Sequence, residues 1–385
     1  SVTIQEGAIL DITNTTGHNF GAQLNGSGIL RLSTSTFPNY AAGSFVQTGG
    51  GTVEYYNIGT FTFAQITYNN LKITLNNNTD EAVFVTTANP LTINGNIIVE
   101  KGILRINNNT NTTALTVNFN GDVTVMPDGQ IGVGNINIGS AADSIIINRS
   151  HQINIKGSLY NLGGTVRFTN MTAPVYTADP PNGAQAGWAD VNFINTNADQ
   201  YVVCNGTTVF YRIVVSKGID QTFVLNIDAD APNKFFLYGR NDRQTDYDPG
   251  SFGPDAPNIL NLNALAINSG TCRLGNNISL PALSSQYYLI DQDAALWIDA
   301  AQVRYYTTNL NRGMYIYGIL KLTNNALLNM DDASASMRRG IVTREASTVS
   351  VDNSTLQATL IRTSSLSGTH RGAFYVSGNS NITLS

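Results

Sequence analysis

Charge is what this sequence has least of: Asp, Glu, Lys and Arg make up 12% of its 385 residues, against about 25% in an ordinary soluble domain. Coiled coils and long charged helices need those residues in bulk and are excluded. A disordered tail is excluded as well, because 42% of the residues are hydrophobic and 9% aromatic, a composition that condenses into a core. The 21 Lys and Arg residues are spread thinly along a chain of formal net charge −5. They form no basic stripe able to neutralise phosphates, so no nucleic acid partner is expected. No run of about eighteen apolar residues occurs and no stretch keeps a helical period. The chain is expected not to span a membrane. Its opening residues, Ser1 to Glu6, lack the basic and apolar segments of a signal peptide; if the protein is exported, that segment has been removed or lies outside these residues.

Cysteine and histidine are scarce too. The two cysteines, Cys204 and Cys272, are 68 positions apart (272 − 204), which in a stack of coils is about three coils, or about 14 Å of rise. A disulfide needs Cα atoms within about 7 Å, so none is expected. The three histidines, His18, His151 and His370, have neither a second His at i+3 to i+5 nor a neighbouring Cys. They do not suggest zinc, and each is expected at the surface.

What the sequence has instead is repetition. Gly28-Ile-Leu-Arg-Leu32, Gly102-Ile-Leu-Arg-Ile106 and Gly318-Ile-Leu-Lys-Leu322 are near copies, and Gly51-Thr-Val-Glu-Tyr55, Gly164-Thr-Val-Arg-Phe168 and Gly270-Thr-Cys-Arg-Leu274 are a second form. Further alternating segments, such as Leu71 to Leu75, Leu115 to Phe119 and Ile153 to Ile155, put aliphatics on one face and Thr, Asn or Lys on the other. That is the period-2 signature of half-buried strands. Spacings of roughly 20 to 27 residues between the Gly-led strands match the coil length of a β-solenoid. Asn clusters at Asn69-Asn70, Asn76 to Asn78, Asn107 to Asn109, Asn276-Asn277 and Asn324-Asn325 suit coil corners, since Asn tolerates the left-handed conformation. Asn residues stacked coil on coil are also expected to form amide ladders.

The fold class expected is therefore all-β: a right-handed parallel β-helix, or a closely related β-solenoid, with projecting loops. Regular repeats occupy 1–172, coils with long inserted loops 173–258, and regular repeats again 259–385. In this stack Leu30, Leu104, Cys272 and Leu320 should all point inward, with Cys272 an inert small hydrophobe. Some 15 to 18 coils at ~4.8 Å would make a rod of roughly 70 to 85 Å.

Three segments, Gly51-Thr-Val-Glu-Tyr-Tyr-Asn57, Ile66-Thr-Tyr-Asn-Asn-Leu-Lys-Ile73 and Leu91-Thr-Ile-Asn-Gly-Asn-Ile97, resemble repeats of the large gliding-motility adhesins that Bacteroidetes export through the type IX secretion system. Later stretches, among them Asp199 to Gly206, Phe235 to Asn241, Leu289 to Trp297 and Gly368 to Gly372, are similar to the same surface proteins. The resemblance implies an extracellular, outer membrane-attached protein that contacts surface polysaccharide or a solid substratum, with outer-membrane anchoring and type IX secretion components as partners. It implies no catalytic residue. No sorting domain is seen at Asn381 to Ser385, where the pattern stops midway, and the chain is read as a fragment of something longer.

Candidate sites are few. Asp242, Asp246, Asp248 and Asp255 lie in one acidic loop and offer clustered oxygens of the kind calcium takes. The spacing is not that of an EF-hand, and the plainer reading is a solvated polar loop. Calcium is the only cofactor considered. Arg240 and Arg243 in the same loop keep an alternative open, a polysaccharide lyase or glycoside hydrolase on a parallel β-helix. Asp143-Ser144-Ile145 resembles the short acceptor of Bacteroidetes O-glycosylation at Ser144. The paired rings Tyr55-Tyr56, Tyr287-Tyr288 and Tyr305-Tyr306 should each put one ring in and one out where they lie on strands. An outward ring either stacks on sugar or stacks from coil to coil.

Overall fold

The computed structural model describes the chain apart from residues 86–89, 109–112, 137–149, 175–186, 242–262, 285–286, 306–312, 331–339, 345, 364–371 and 385. The described residues are all-β, with no helix among them. They divide into two compact units. One comprises Ser1–Met171, Pro181–Val191 and Val203–Val209, the other Thr172–Pro180, Asn192–Val202 and Phe210–Ser385.

In the first unit the strands pair parallel and in register, each with a strand one repeat away. One position can be followed through six pairings, Leu10, Leu30, Val53, Leu71, Ile97, Val123 and Leu159. From Leu30 onward every member is at most 1% exposed. Two residues further along the same strands, Leu32, Tyr55, Ile73, Val99 and Val125 make a second buried column. Parallel hydrogen bonding aligns equivalent residues, so an alternating strand repeated at this interval stacks apolar on apolar and needs no helix to cover it. Each aliphatic side chain fully buried in this way contributes about 1.5–3 kcal/mol.

The second unit contains three parallel sheets. The largest runs from Val224–Ala229 through Leu265–Leu274, Ala294–Asp299, Ile319–Thr323 and Thr348–Asp352 to Ala373–Ser377. Its inward column is Leu225, Cys272, Leu296, Leu320 and Val349, each 0% exposed. A second sheet stacks Ser279–Leu280, Gln302–Arg304, Leu327–Asn329, Thr355–Ala358 and Asn381–Leu384. A third stacks Tyr288–Ile290, Met314–Ile316, Gly340–Thr343 and Leu360–Thr363. Leu30, Leu104, Cys272 and Leu320 are all fully buried, as the repeat predicts. Neither cysteine is in a disulfide, and burial pushes the Cys272 thiol up to about 12, leaving it protonated and inert.

Asparagine works at the corners in two ways. Asn107, Asn277, Asn324 and Asn325 adopt the left-handed conformation, with φ between 58° and 67°. Asn70, Asn96 and Asp122 instead form a chain of side-chain to backbone bonds. Oδ1 of Asn70 accepts from Asn96 N (2.8 Å), that of Asn96 from Asp122 N (3.0 Å) and that of Asp122 from Ser158 N (2.7 Å). The expected amide ladder is present on a neighbouring face, where Nδ2 of Asn154 donates to Oδ1 of Asn118 at 2.9 Å.

The glycines before Asn96, Asp122 and Ser158 explain themselves sterically. Gly95, Gly121 and Gly157 stack so closely that a Cβ on Gly121 would lie 2.4 Å from the Gly95 carbonyl, and one on Gly157 2.1 Å from that of Gly121. At Gly59, by contrast, an added Cβ meets nothing within 4 Å. Gly121→Ala is expected to lower unfolding free energy by about 2–3 kcal/mol in urea titrations. Gly59→Ala should leave it unchanged or raise it by a few tenths; equal effects at the two sites would refute the glycine column.

Candidate functional site: an outward face of the second unit

The largest sheet of the second unit turns its alternate side chains away from the apolar column. In register along it stand Asn226, Arg273, Trp297, Lys321, Ser350 and Tyr375. Asp299 pairs in register with Thr323 and Asp352 with Ser377 on the same strands. Strand alternation places these two rows on one face, because the residues are two positions apart.

The charges on this face are closely matched. Arg273 donates from Nη1 to Oδ2 of Asp228 at 2.9 Å and from Nε to Oδ2 of Asp299 at 2.7 Å. Burial alone would lower the Arg273 guanidinium, and the Asp299 and Asp228 carboxylates more than reverse it. Asp299 is 5% exposed. Burial raises its carboxyl, but hydrogen bonds from Thr323, Asn324 and Arg273 hold it below the usual range. Trp297, half-buried, has the Arg273 guanidinium 5.4 Å and the Lys321 ammonium 4.0 Å from its ring centre, and its Nε1 donates to Thr323 Oγ1 at 2.7 Å. The indole is thus clamped between two cations, each interaction worth roughly 0.5–2 kcal/mol. Arg273 is neutralised twice, whereas Lys321 has no carboxylate partner among the described residues.

The first unit uses its outward charges differently. Asp11, Arg31, Glu54, Lys72 and Glu100 alternate in sign from strand to strand, at 3.8, 2.8, 3.2 and 2.9 Å. Burial lowers the Lys72 ammonium, but Glu100 and Glu54 on either side raise it overall. Arg31 also lies 3.9 Å from the centre of the Tyr56 ring, whose hydroxyl donates to Asp11.

The predicted sites fare unevenly. Asp242, Asp246, Asp248, Asp255 and Ser144, with Arg243 and His370, lie outside the described residues. Arg240 is described, and its carbonyl accepts from Ala264 N at 2.7 Å. Among the described residues no three His, Cys, Asp or Glu side chains gather as a metal site, and no helix is long and apolar enough to cross a membrane. Tyr55 is inward and fully buried while Tyr56 is half-buried. Tyr288 opens the strand Tyr288–Ile290 and sits in the core, while Tyr287, one residue before that strand, is buried in a separate cluster with Leu289 and Val342 and packs edge-on against Tyr315 with ring centres 5.4 Å apart. There ring packs on ring. Tyr305 is buried and Tyr306 lies outside the described residues.

His151 is a correction. It is not at the surface but 0% exposed, and its ring satisfies two backbone groups distant in sequence. Nδ1 accepts from Leu115 N at 3.0 Å, which fixes the proton on Nε2, 3.2 Å from the Gly134 carbonyl. Sequence offered one hint: His151 opens an alternating strand at an apolar-phase position, His151–Ile155.

Compared with protein-family models, curated proteins and solved structures, the chain matches none.

Burial pushes the His151 imidazole down to about 4 from an ordinary 6.5. The unfolded chain therefore takes up the proton first, and the stability this residue gives is complete above pH 6.5 and lost as pH falls toward 4. The loss is expected to be roughly 3 kcal/mol. Urea midpoints across that range should fall more steeply for the native chain than for His151→Gln; parallel curves would mean that the ring is not held neutral.

Proposed function

We propose that the chain is a non-enzymatic segment of a cell-surface adhesin, built as a right-handed parallel β-helix and holding to polysaccharide or a solid substratum. On this reading it is extracellular, attached to the outer membrane, and serves attachment during gliding, in line with the resemblance of its repeats to type IX-secreted adhesins. The observation that carries the proposal is the face around Trp297. It offers a half-buried indole, a cation at Lys321 with no carboxylate partner among the described residues, and the half-buried hydroxyl of Ser350 and carboxylate of Asp352, on strands parallel and in register. Sugar hydroxyls and C–H faces are recognised by that combination of hydrogen-bonding groups and an aromatic ring.

Mechanical reasoning supports the same reading. Stacked strands are joined by backbone hydrogen bonds, and the carboxylates of Glu54, Asp228 and Asp299 are engaged in ion pairs that tie one strand to the next. Weak contacts repeated along a long protein add up through avidity. Such a segment requires many modest sites and no single deep one.

The test is retardation of the purified chain in gels containing soluble polysaccharides, with polymer length followed in parallel. Retardation with unchanged polymer length is expected, and Trp297→Ala should weaken it roughly fivefold, about 1 kcal/mol. Shortened polymer with new reducing or unsaturated ends would overturn the proposal in favour of a lyase or glycoside hydrolase, and absence of retardation on every polymer would overturn binding itself.

A further inference from the structure

Lys217 is the one lysine buried to 0% exposure among the described residues, and the outward face above makes no use of it. Its Nζ donates to Oε1 of Gln200 at 2.8 Å, to the Ala198 carbonyl at 2.9 Å and to the Asn195 carbonyl at 3.1 Å. Gln200 is also 0% exposed, and its Oε1 accepts from the Asn195 backbone N–H at 3.2 Å. We propose that Lys217 and Gln200 become joined by an intramolecular isopeptide bond, the lysine amine displacing ammonia from the glutamine carboxamide.

Each part of that reaction has a group already in place. A nitrogen 2.8 Å from Oε1 stands roughly 3.5 Å from Cδ, at the outer edge of the near-attack range. Burial pushes the Lys217 ammonium down to about 8, so about a tenth of the molecules carry the free amine at neutral pH. In the ammonium form all three N–H bonds are engaged. After deprotonation two remain, and they match the two backbone carbonyls of Asn195 and Ala198, which are fixed by the chain. The lone pair is then left facing the carboxamide, whose Oε1 stays held by the Asn195 N–H.

Charge developing on Oε1 meets the Asn195 N–H, the position of an oxyanion donor. Asp199 is the neighbouring carboxylate, and its charge acts on Nζ. One of its oxygens accepts from Val224 N at 2.8 Å, so its charge acts on Nζ from a distance; the proton passes from Nζ to Nε2 as the tetrahedral centre collapses. The bond from Nζ to Cδ forms, that from Cδ to Nε2 breaks, one proton passes from Nζ to Nε2, and ammonia leaves. No oxidant or added reactant is required. The product closes the chain covalently between residues 200 and 217, a cross-link suited to a protein that holds against pulling.

Intact mass spectrometry of the purified chain in denaturant, after prolonged incubation in the folded state, decides the matter. The expected mass is that of the sequence less one ammonia, with digestion yielding a branched peptide that joins the segments of Gln200 and Lys217. Gln200→Met and Lys217→Met should each show their full sequence mass. Because the native chain alone gives the principal readout, poor folding of either variant does not obscure it. A native chain at full sequence mass overturns the proposal. So does an ammonia deficit that persists in Lys217→Met, or one that maps to a succinimide at an Asn-Gly step such as Asn94-Gly95.

Discussion

Parallel pairing in fixed register is the constraint from which most of this structure follows. When the backbone of one strand hydrogen-bonds to the next without slippage, each residue is stacked about 4.8 Å from its equivalent. A side chain is then judged by its neighbours in the column more than by its neighbours in sequence. Leu30, Val53, Leu71 and Ile97 succeed one another in such a column. Slippage by a single residue would turn all of them out to solvent. Register and burial therefore enforce each other, and the hydrophobic column acts as the memory of the alignment.

The same stacking decides what corners are made of. Where the chain turns between strands, backbone lies directly against backbone, and the close approach at Gly95, Gly121 and Gly157 leaves no room for Cβ. After Gly95 and Gly121 comes a side chain that reaches the backbone N–H stacked beyond it, and Asn or Asp is the shortest that accepts there. Glycine followed by Asn96 or Asp122 is thus one steric and hydrogen-bonding solution used twice.

The periodic part of this architecture was legible in the sequence because it is written in local alternation. Cys272 could be placed inward from its alignment with Leu30 and Leu320 alone. Features that depend on contacts between segments distant in sequence were not legible. His151 reads as an ordinary polar residue until the backbone groups of Leu115 and Gly134 are seen to bracket it. Tyr287 reads as an outward ring until Tyr315 is found against it. Lys217 lies one residue past the strand Arg212–Ser216, and nothing near it in sequence shows that the carbonyls of Asn195 and Ala198 converge on its amine. The face around Trp297 was only partly visible: the outward phase of Arg273 and Lys321 follows from the repeats, while their clamp on one indole follows from the register.

Low charge can now be given a physical cause that the composition alone did not supply. A column of like charges at 4.8 Å spacing is repulsive along its whole length, so outward positions tolerate charge only where signs alternate or where a ring or hydroxyl intervenes. The first unit takes the former course through Asp11, Arg31, Glu54, Lys72 and Glu100. The second separates Arg273 from Lys321 by the indole of Trp297 and, among the described residues, neutralises only the former. Charge is rationed by the stack, and Lys321 satisfies its remaining hydrogen-bonding capacity outside the carboxylates of the described residues, with its ammonium held over the indole ring.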